Sequence, residues 1–343
     1  MSIVERAIAV TERTPFPDFV TRAGVYYLVN RTKKQLARLP ENASARFARD
    51  MADFPIALAT DEANEQHYEI PARFFELILG GRRKYSCGFY PTAETTLDQA
   101  EEASLALSCE HAALADGQDI LELGCGWGSL TLWVAEKYPN ARITAVSNSA
   151  SQRDYIADQA AARGLRNVQV VTADMNDFVT SARYDRVLSV EMFEHMANWR
   201  QLLGKVRDWL QPDGRFFMHV FTHKAAPYRF DHTDKADWIA HHFFTGGIMP
   251  SHNLIQHFGD LVTVDAEWQW TGDHYARTAH DWLANYDRNS DEIDAILTSV
   301  YGGDARLWKR RWRLFFLATM GLFGHDGGRE WGVSHYRLSP ANS

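Results

Sequence analysis

Three ionisable side chains crowd into five residues at Glu191, Glu194 and His195. Such a cluster at the end of an apolar run is costly unless its charges are used. Two carboxylates can grip an ammonium group, and one of them, or the imidazole, can take its proton. A structural salt-bridge cluster would use the same residue types. Zinc binding of the H-E-x-x-H kind does not fit, because the stretch holds one histidine, so no metal is expected.

A second chemically loaded stretch lies upstream. The apolar run Asp119–Leu123 carries Glu122, and Gly124, Gly126 and Gly128 follow at alternate positions before a helical pattern starts at Ser129. That order predicts a strand, a tight turn and a helix. Glycine lets a ligand lie against the backbone, where a Cβ would block it. The helix start offers unpaired N–H groups to a carboxylate, and Glu122 can accept from an ammonium or a hydroxyl. The spacing G-x-G-x-G differs from the dinucleotide fingerprint, and the phosphate loop G-x-x-x-x-G-K-[ST] is absent at this turn. Acid-x-G-x-G-x-G after a strand resembles motif I of the S-adenosylmethionine (SAM) dependent methyltransferases. A glycine turn without a ligand is the plainer alternative.

The elements that must carry these residues alternate from residue 118 onward. Strands are expected at Ile120–Leu123, Ile143–Ser147, Val168–Thr172, Arg186–Val190 and Arg215–Phe221, the last after a Pro212-Asp213-Gly214 turn. Helices are expected at Ser129–Tyr138, Ser151–Arg163 and Trp199–Leu210. Strands spaced by helices imply an α/β fold with a parallel sheet. Ligands of such sheets bind outside the carboxyl ends of the strands, near the switch point. On that edge Asn148 and Gln152 are candidates for a ribose diol, with helix capping by Ser149 or Asn148 as the alternative. Asp174 is a candidate acceptor for the adenine amino group, with a turn role as the alternative.

The flanks are helical. The span Arg22–Leu39 carries an apolar stripe and stops at Pro40, and Pro71–Leu79 is closed by Gly80-Gly81. The segment from Lys84 to Pro91 mixes small, aromatic and hydroxyl residues, as a loop over a ligand would. Thr96 and Gln99 form a capping box. Leu97, Ala100, Ser104, Leu107, His111 and Leu114 make one helical face, which makes His111 an ordinary face histidine. After residue 222 the alternation breaks. His223–Gly259 reads as a helical insertion that lids the site, followed by a strand at Leu261–Trp270, helices at Thr278–Tyr286 and Asp304–Phe323, and a strand at Trp331–Leu338. The expected organisation is a helical region at 1–80, a ligand-binding core at 81–222, a lid at 223–260 and a completing segment at 261–343.

The 343 residues leave room for one large domain or two ordinary ones. Eleven Trp, 13 Tyr and 19 Phe are enough to wall a flat or cationic ligand, although most aromatics serve a core. The net charge of −8 and the lack of a long basic run argue against nucleic acid as a partner. Cys87, Cys109 and Cys125 show no C-x-x-C spacing, which points to free thiols in a reducing compartment. The start lacks a signal-peptide apolar region, and the apolar stretch Leu314–Phe323 falls far short of the ~20 residues that span a bilayer. A soluble, cytoplasmic protein is expected. Peripheral contact with lipid stays open, and the sequence is silent on oligomeric state.

Glu122-x-Gly-Cys-Gly-Trp-Gly, then Ser147-Asn148-Ser149-x-x-Gln152, then Ser189-Val190-Glu191-Met192-Phe193-Glu194-His195-Met196 resemble the cyclopropane fatty acid synthase-like methyltransferases. Lys84-Tyr85-Ser86-Cys87, the Phe243–Ser251 segment and Gly272–Thr278 extend the likeness over residues 70 to 290 or so. The resemblance implies a Rossmann-like class I sheet with SAM as cofactor. It implies SAM contacts at Tyr85, Ser86, Glu122, Gly124, Gly126, Gly128, Asn148, Gln152, Asp174 and Met175. Two branches matter. The lipid branch methylenates an acyl double bond and binds bicarbonate through residues matching Cys87, Glu194, His219 and Tyr275. The alkaloid branch, the coclaurine N-methyltransferases, uses two glutamates and a histidine on the substrate amine, matching Glu191, Glu194 and His195. Lipid enzymes usually have glycine where Glu191 stands. A carboxylate would be penalised in an acyl groove, whereas a cationic amine would gain from it and from faces such as Trp238 or Phe244. The expectation is therefore N-methylation of a small amine. Lipid transfer and a non-catalytic SAM-binding regulator are the alternatives.

Overall fold

Side chains alternate between the two faces of a strand, so apolar strands need cover on both sides. The computed structural model describes residues 3–58, 70–231, 233 and 237–341. The amino end at Met1 and Ser2, residues 59–69 of the N-terminal region, 232 and 234–236 of the insertion, and 342–343 lie outside the described residues. The strands are β1 (Asp119–Leu123), β2 (Arg142–Ser147), β3 (Val168–Thr172), β4 (Tyr184–Val190), β5 (Leu210–His223), β6 (Tyr228–Arg229), β7 (Ile248–Met249), β8 (Val262–Thr271) and β9 (Trp331–Pro340). Seven form one sheet in the order β3-β2-β1-β4-β5-β9-β8. Strands β1 to β5 run parallel, and β9 lies antiparallel between β5 and β8. The strand order reverses between β1 and β4, so Glu122 and Glu191 come off neighbouring strands at the switch point.

The alternation fills both faces. Leu121, Leu123, Val187, Phe216 and Met218 pack with Trp199, Leu202, Leu203 and Val206 of the helix Trp199–Trp209. Ile120, Leu188 and Phe217 face the other way, onto Leu105 and Cys109 of Leu97–His111 and onto Leu130, Trp133 and Val134 of Ser129–Lys137. The capping box is present, with Thr96 and Gln99 each bonding the other's backbone N–H. A third core joins helices Asp18–Leu36, Ala72–Ile78, Asp273–Arg288, Ser290–Tyr301 and Ala305–Phe323 around Phe74, Phe75, Trp282, Trp312 and Phe316. The first helices of the chain, Ile3–Arg13 and Asp18–Leu36, lie against Ala305–Phe323 near its end. None of the helices among the described residues is long and apolar enough to cross a membrane.

Three elements differ from expectation. The 223–260 insertion is mostly irregular rather than helical: it holds the short helix Trp238–His242, the β6–β7 ribbon and a 3-10 turn at Leu254–Phe258. Gly246, at φ +76°, and the neighbouring Gly247 and Pro250 interrupt any longer helix. The Pro212-Asp213-Gly214 turn is absorbed into β5, whose register against β4 shifts between Tyr184 and Arg186. The helix Ser290–Tyr301 was not anticipated; its buried residues, Ile293 and Leu297, are one helical turn apart.

Candidate active site

The loop after β1 opens the site. Gly124, Gly126 and Gly128 all have positive φ, at 76°, 53° and 77°. A Cβ on Gly124 would strike Met192 and one on Gly128 would strike Ile156, both at 2.6 Å, whereas one on Gly126 would meet nothing within 4 Å. Gly124 and Gly128 thus let elements pack, and Gly126 leaves backbone bare for a ligand. Beside it Glu122 accepts from the Thr131 hydroxyl at 2.5 Å, and burial pushes its carboxyl up to about 7 against that hydrogen bond.

Glu122, Gly124 and Gly126 line a cavity of about 230 Å³ together with Tyr85, Ser86, Asn148, Gln152, Asp174 and Met175. Ser149 caps the helix Ala150–Ala162, so Asn148 is left on the wall. Gln152 accepts from the Ser147 hydroxyl at 2.7 Å. Asp174 lies on the wall and also takes the Asn176 N–H in a turn at 2.7 Å. Gly128 does not reach the wall; it caps the helix Ser129–Lys137 and faces Ile156.

Glu191, directly after the neighbouring strand β4, lines the same cavity. Its φ of +47° is in the left-handed region, a strained setting for a residue with a Cβ. Three hydrogen-bonding groups hold its carboxylate. The Cys87 N–H meets Oε1 at 2.9 Å, the Tyr275 hydroxyl meets Oε2 at 2.6 Å, and His219 Nε2 lies 3.2 Å from Oε1. Burial pushes Glu191 up from the usual carboxylate range, while the Lys84 charge, the Cys87 N–H, the Tyr275 hydroxyl and His195 hold it down. Lys84 is itself buried, and its ammonium donates to Ser86 Oγ at 2.6 Å and to the Cys87 carbonyl at 2.7 Å. Burial lowers the Lys84 amine, with Glu191 opposing. The same loop is pinned by Ser104, which donates to the Cys87 carbonyl, and by Thr278, which accepts from the Gly88 N–H.

Glu194 differs from its neighbour. It is fully buried, accepts the Phe221 N–H at 3.1 Å through Oε1, and leaves Oε2 without a hydrogen-bond partner among the described residues. Burial, then the Glu191 charge, push it well above the carboxylate range, which favours its protonated form. Of the two glutamates, Glu191 has the partners that favour an ionised carboxylate. His195 lies on the wall, stacked on Phe244 with centroids 4.3 Å apart. Phe221, Phe315 and Trp282 complete the apolar side.

The sequence profile of the mycolic acid cyclopropane synthetases matches residues 58–325. The chain belongs to the mycolic acid cyclopropane synthetase family. Within reach of this family, an (S)-coclaurine N-methyltransferase of Thalictrum flavum subsp. glaucum is 37% identical over 308 residues, covering 88% of this chain and 84% of that protein. The cyclopropane-fatty-acyl-phospholipid synthase of Escherichia coli (strain K12) is 29% identical over 224 residues, 65% of this chain and 56% of that one. A crystal structure of coclaurine N-methyltransferase bound to N-methylheliamine and S-adenosylhomocysteine (SAH) superposes with a TM-score of 0.94 at 34% identity, covering 98% of this chain and all of that one. The sheet is the class I SAM-dependent methyltransferase sheet, and the chain is a methyltransferase.

Not every expected residue of this family member touches the cavity. Glu194, His219 and Cys87 stand behind the wall rather than on it. The Cys87 thiol donates to the Gly88 carbonyl, and only its backbone N–H serves Glu191. Trp238 also lies off the wall, because its indole N–H donates to Glu12 of the first helix. Lys84 enters the sequence reading only as part of the ligand-loop segment and the family likeness; its burial beside Glu191 has no sequence signal. His111 is not an ordinary face histidine: its Nδ1 lies 2.8 Å from His335 Nδ1.

Proposed function

We propose that this chain is a SAM-dependent N-methyltransferase of a small amine, with Glu191 as the carboxylate that takes the amine's proton. The observation that carries this reading is the Glu191 carboxylate itself, held by Cys87, Tyr275 and His219 on the wall of the cavity that the glycine loop also lines. In the lipid branch the groups matching Cys87, His219 and Tyr275 are expected to hold bicarbonate. Here they already have an acceptor supplied by the chain, so no bicarbonate is required.

Glu122 and the backbone at Gly124 and Gly126 would hold the amino-acid end of SAM, Asn148 and Gln152 its ribose, and Asp174 and Met175 its adenine. SAM, when bound, supplies a methyl group activated by a sulfonium. Tyr85 and Ser86 would close over it. The Glu191 carboxylate, with the Lys84 ammonium and the Tyr275 hydroxyl near it, is placed to accept a proton from a substrate ammonium. Glu191 takes that proton and frees the nitrogen lone pair. His195 is a second basic group within the pocket, and Phe221, Phe244 and Trp282 keep water out and favour a cationic product. The product amine gains the methyl, and one proton is released per turnover. The free, buried cysteines fit a cytoplasmic setting.

The experiment is a transfer assay with labelled SAM against a panel of primary and secondary arylalkylamines, with unsaturated phospholipid as the opposing arm. Amine methylation that falls about a hundredfold or more in Glu191→Gln, with SAM affinity kept, supports the reading. Cyclopropanation of lipid with no amine methylated returns the chain to the lipid branch. SAM binding with neither activity leaves the regulator.

A further inference from the structure

The hydrogen bonds of Glu191 do not end at His219. On the far side of that ring, Nδ1 lies 2.8 Å from Nε2 of His335, and His335 Nδ1 lies 2.8 Å from Nδ1 of His111. His219 and His335 are directly opposite each other on β5 and β9. His111 ends the helix Leu97–His111 and stacks flat on Trp268 of β8, with centroids 3.8 Å apart and planes 4° apart. Three imidazoles thus run in file from the pocket wall to the edge of the sheet. His219 and His335 are wholly buried, and His111 retains 6% exposure.

Burial favours the neutral form of each ring. Burial drives His219 and His335 well below the usual imidazole range, and nearby Lys84 and His111 add to it. Burial and Arg337 lower His111 against Glu110. A neutral imidazole carries one N–H and one bare nitrogen. Both nitrogens of His219 and of His335 are engaged, so the protons must be ordered head to tail. An ionised Glu191 can only accept, which requires the proton of His219 on Nε2. His219 Nδ1 is then bare and needs Nε2–H of His335. His335 Nδ1 is bare in turn and needs Nδ1–H of His111. One ring in the wrong tautomer reverses the file and turns a lone pair toward the carboxylate.

We propose that His335 and His111 are positioning residues for the amine deprotonation, locking His219 as an Nε2–H donor that keeps Glu191 ionised. The proposal rests on the reading of Glu191 as the base. The other groups facing Glu191 are Lys84, Cys87, Glu194, His195 and Tyr275, and none of them can set the tautomer of His219, because none bonds its Nδ1.

The test joins spectroscopy to kinetics on the full chain. In 15N-histidine-labelled protein at neutral pH, His219 should show a protonated Nε2 and a bare Nδ1. His111→Phe keeps a ring against Trp268 and removes the terminal donor. It should mix the His219 tautomers and move the acid limb of kcat/KM for the amine upward by about half to one pH unit, with SAM affinity kept. His111→Asn restores an N–H near the Nδ1 position and should return both readouts toward the unsubstituted enzyme. A bare Nε2 on His219 in the unsubstituted protein overturns the lock, and that measurement needs no variant to fold. Loss of thermal stability in His111→Phe with an unmoved acid limb also overturns it, since a purely structural role predicts that result. Failure of the unsubstituted enzyme to methylate any amine overturns the base reading, and the tautomer measurement then decides the lock by itself.

Discussion

The Tyr275 hydroxyl donates to Glu191 Oε2 at 2.6 Å, joining the first turn of the helix Asp273–Arg288 to the end of β4. Two elements far apart in the chain thereby fix one carboxylate. The bond favours the ionised form of Glu191, and the negative charge in turn holds the tyrosine well above its ordinary range, after burial.

Removal of that hydroxyl should show in the pH profile. Tyr275→Phe takes away a donor to a charged acceptor, so the Glu191 carboxyl rises further. A hydrogen bond to a charged group is worth about 1.5–3 kcal/mol, which corresponds to roughly one to two pH units. The base form is then lost at a higher pH, so the acid limb of kcat/KM moves up, and the rate well above it changes little. A profile recorded from pH 5 to 9 checks this. An unmoved limb would mean that Glu191 is not the titrating base.

Glu191→Gly has two opposed effects. Glycine suits φ +47°, which relieves about 1 kcal/mol of backbone strain. The Cys87 N–H, the Tyr275 hydroxyl and His219 are meanwhile left facing a space without an acceptor. The variant should fold, lose amine methylation, and regain part of it when formate or bicarbonate is added, because a small carboxylate can take up the three donors. Rescue that rises and saturates with anion concentration is the expected result; a response equal to that of chloride speaks against it.

The three glycines of the loop should separate under substitution. Gly126→Ala projects its Cβ into open space, so it should weaken SAM binding about tenfold or more with only a small fall in thermal midpoint. Gly128→Ala drives a Cβ against Ile156, so it should lower the midpoint by several degrees. Titration calorimetry and thermal melts on the two variants read the difference. Equal losses of affinity and stability in both would remove the distinction between cradle and packing glycine.

Much of this protein could be read in one dimension. The parallel core from β1 to β5 follows from local pattern, because each strand and each helix meets its own periodicity within a few residues. The glycine loop, the Glu191–His195 cluster, Asn148, Gln152 and Asp174 could be named because strand-end loops of a parallel sheet share one edge. The irregular 223–260 insertion could not be read so well. His-, Phe- and Gly-rich sequence has no single period, and contacts such as Glu12 with Trp238 and His242 join residues more than 220 positions apart. What only the tertiary structure decided is the environment of each charge. Glu191 and Glu194 are three residues apart and chemically alike in sequence. One meets three donors from β5, the Lys84–Cys87 loop and the Asp273–Arg288 helix, and the other meets one backbone N–H and is otherwise enclosed. Ionisation depends on burial and on partners brought from distant parts of the chain. The file from His111 through His335 to His219 spans 224 residues for the same reason. Sequence supplied the residue types and the edge on which they gather; long-range packing decided the partners and the burial that each of them meets.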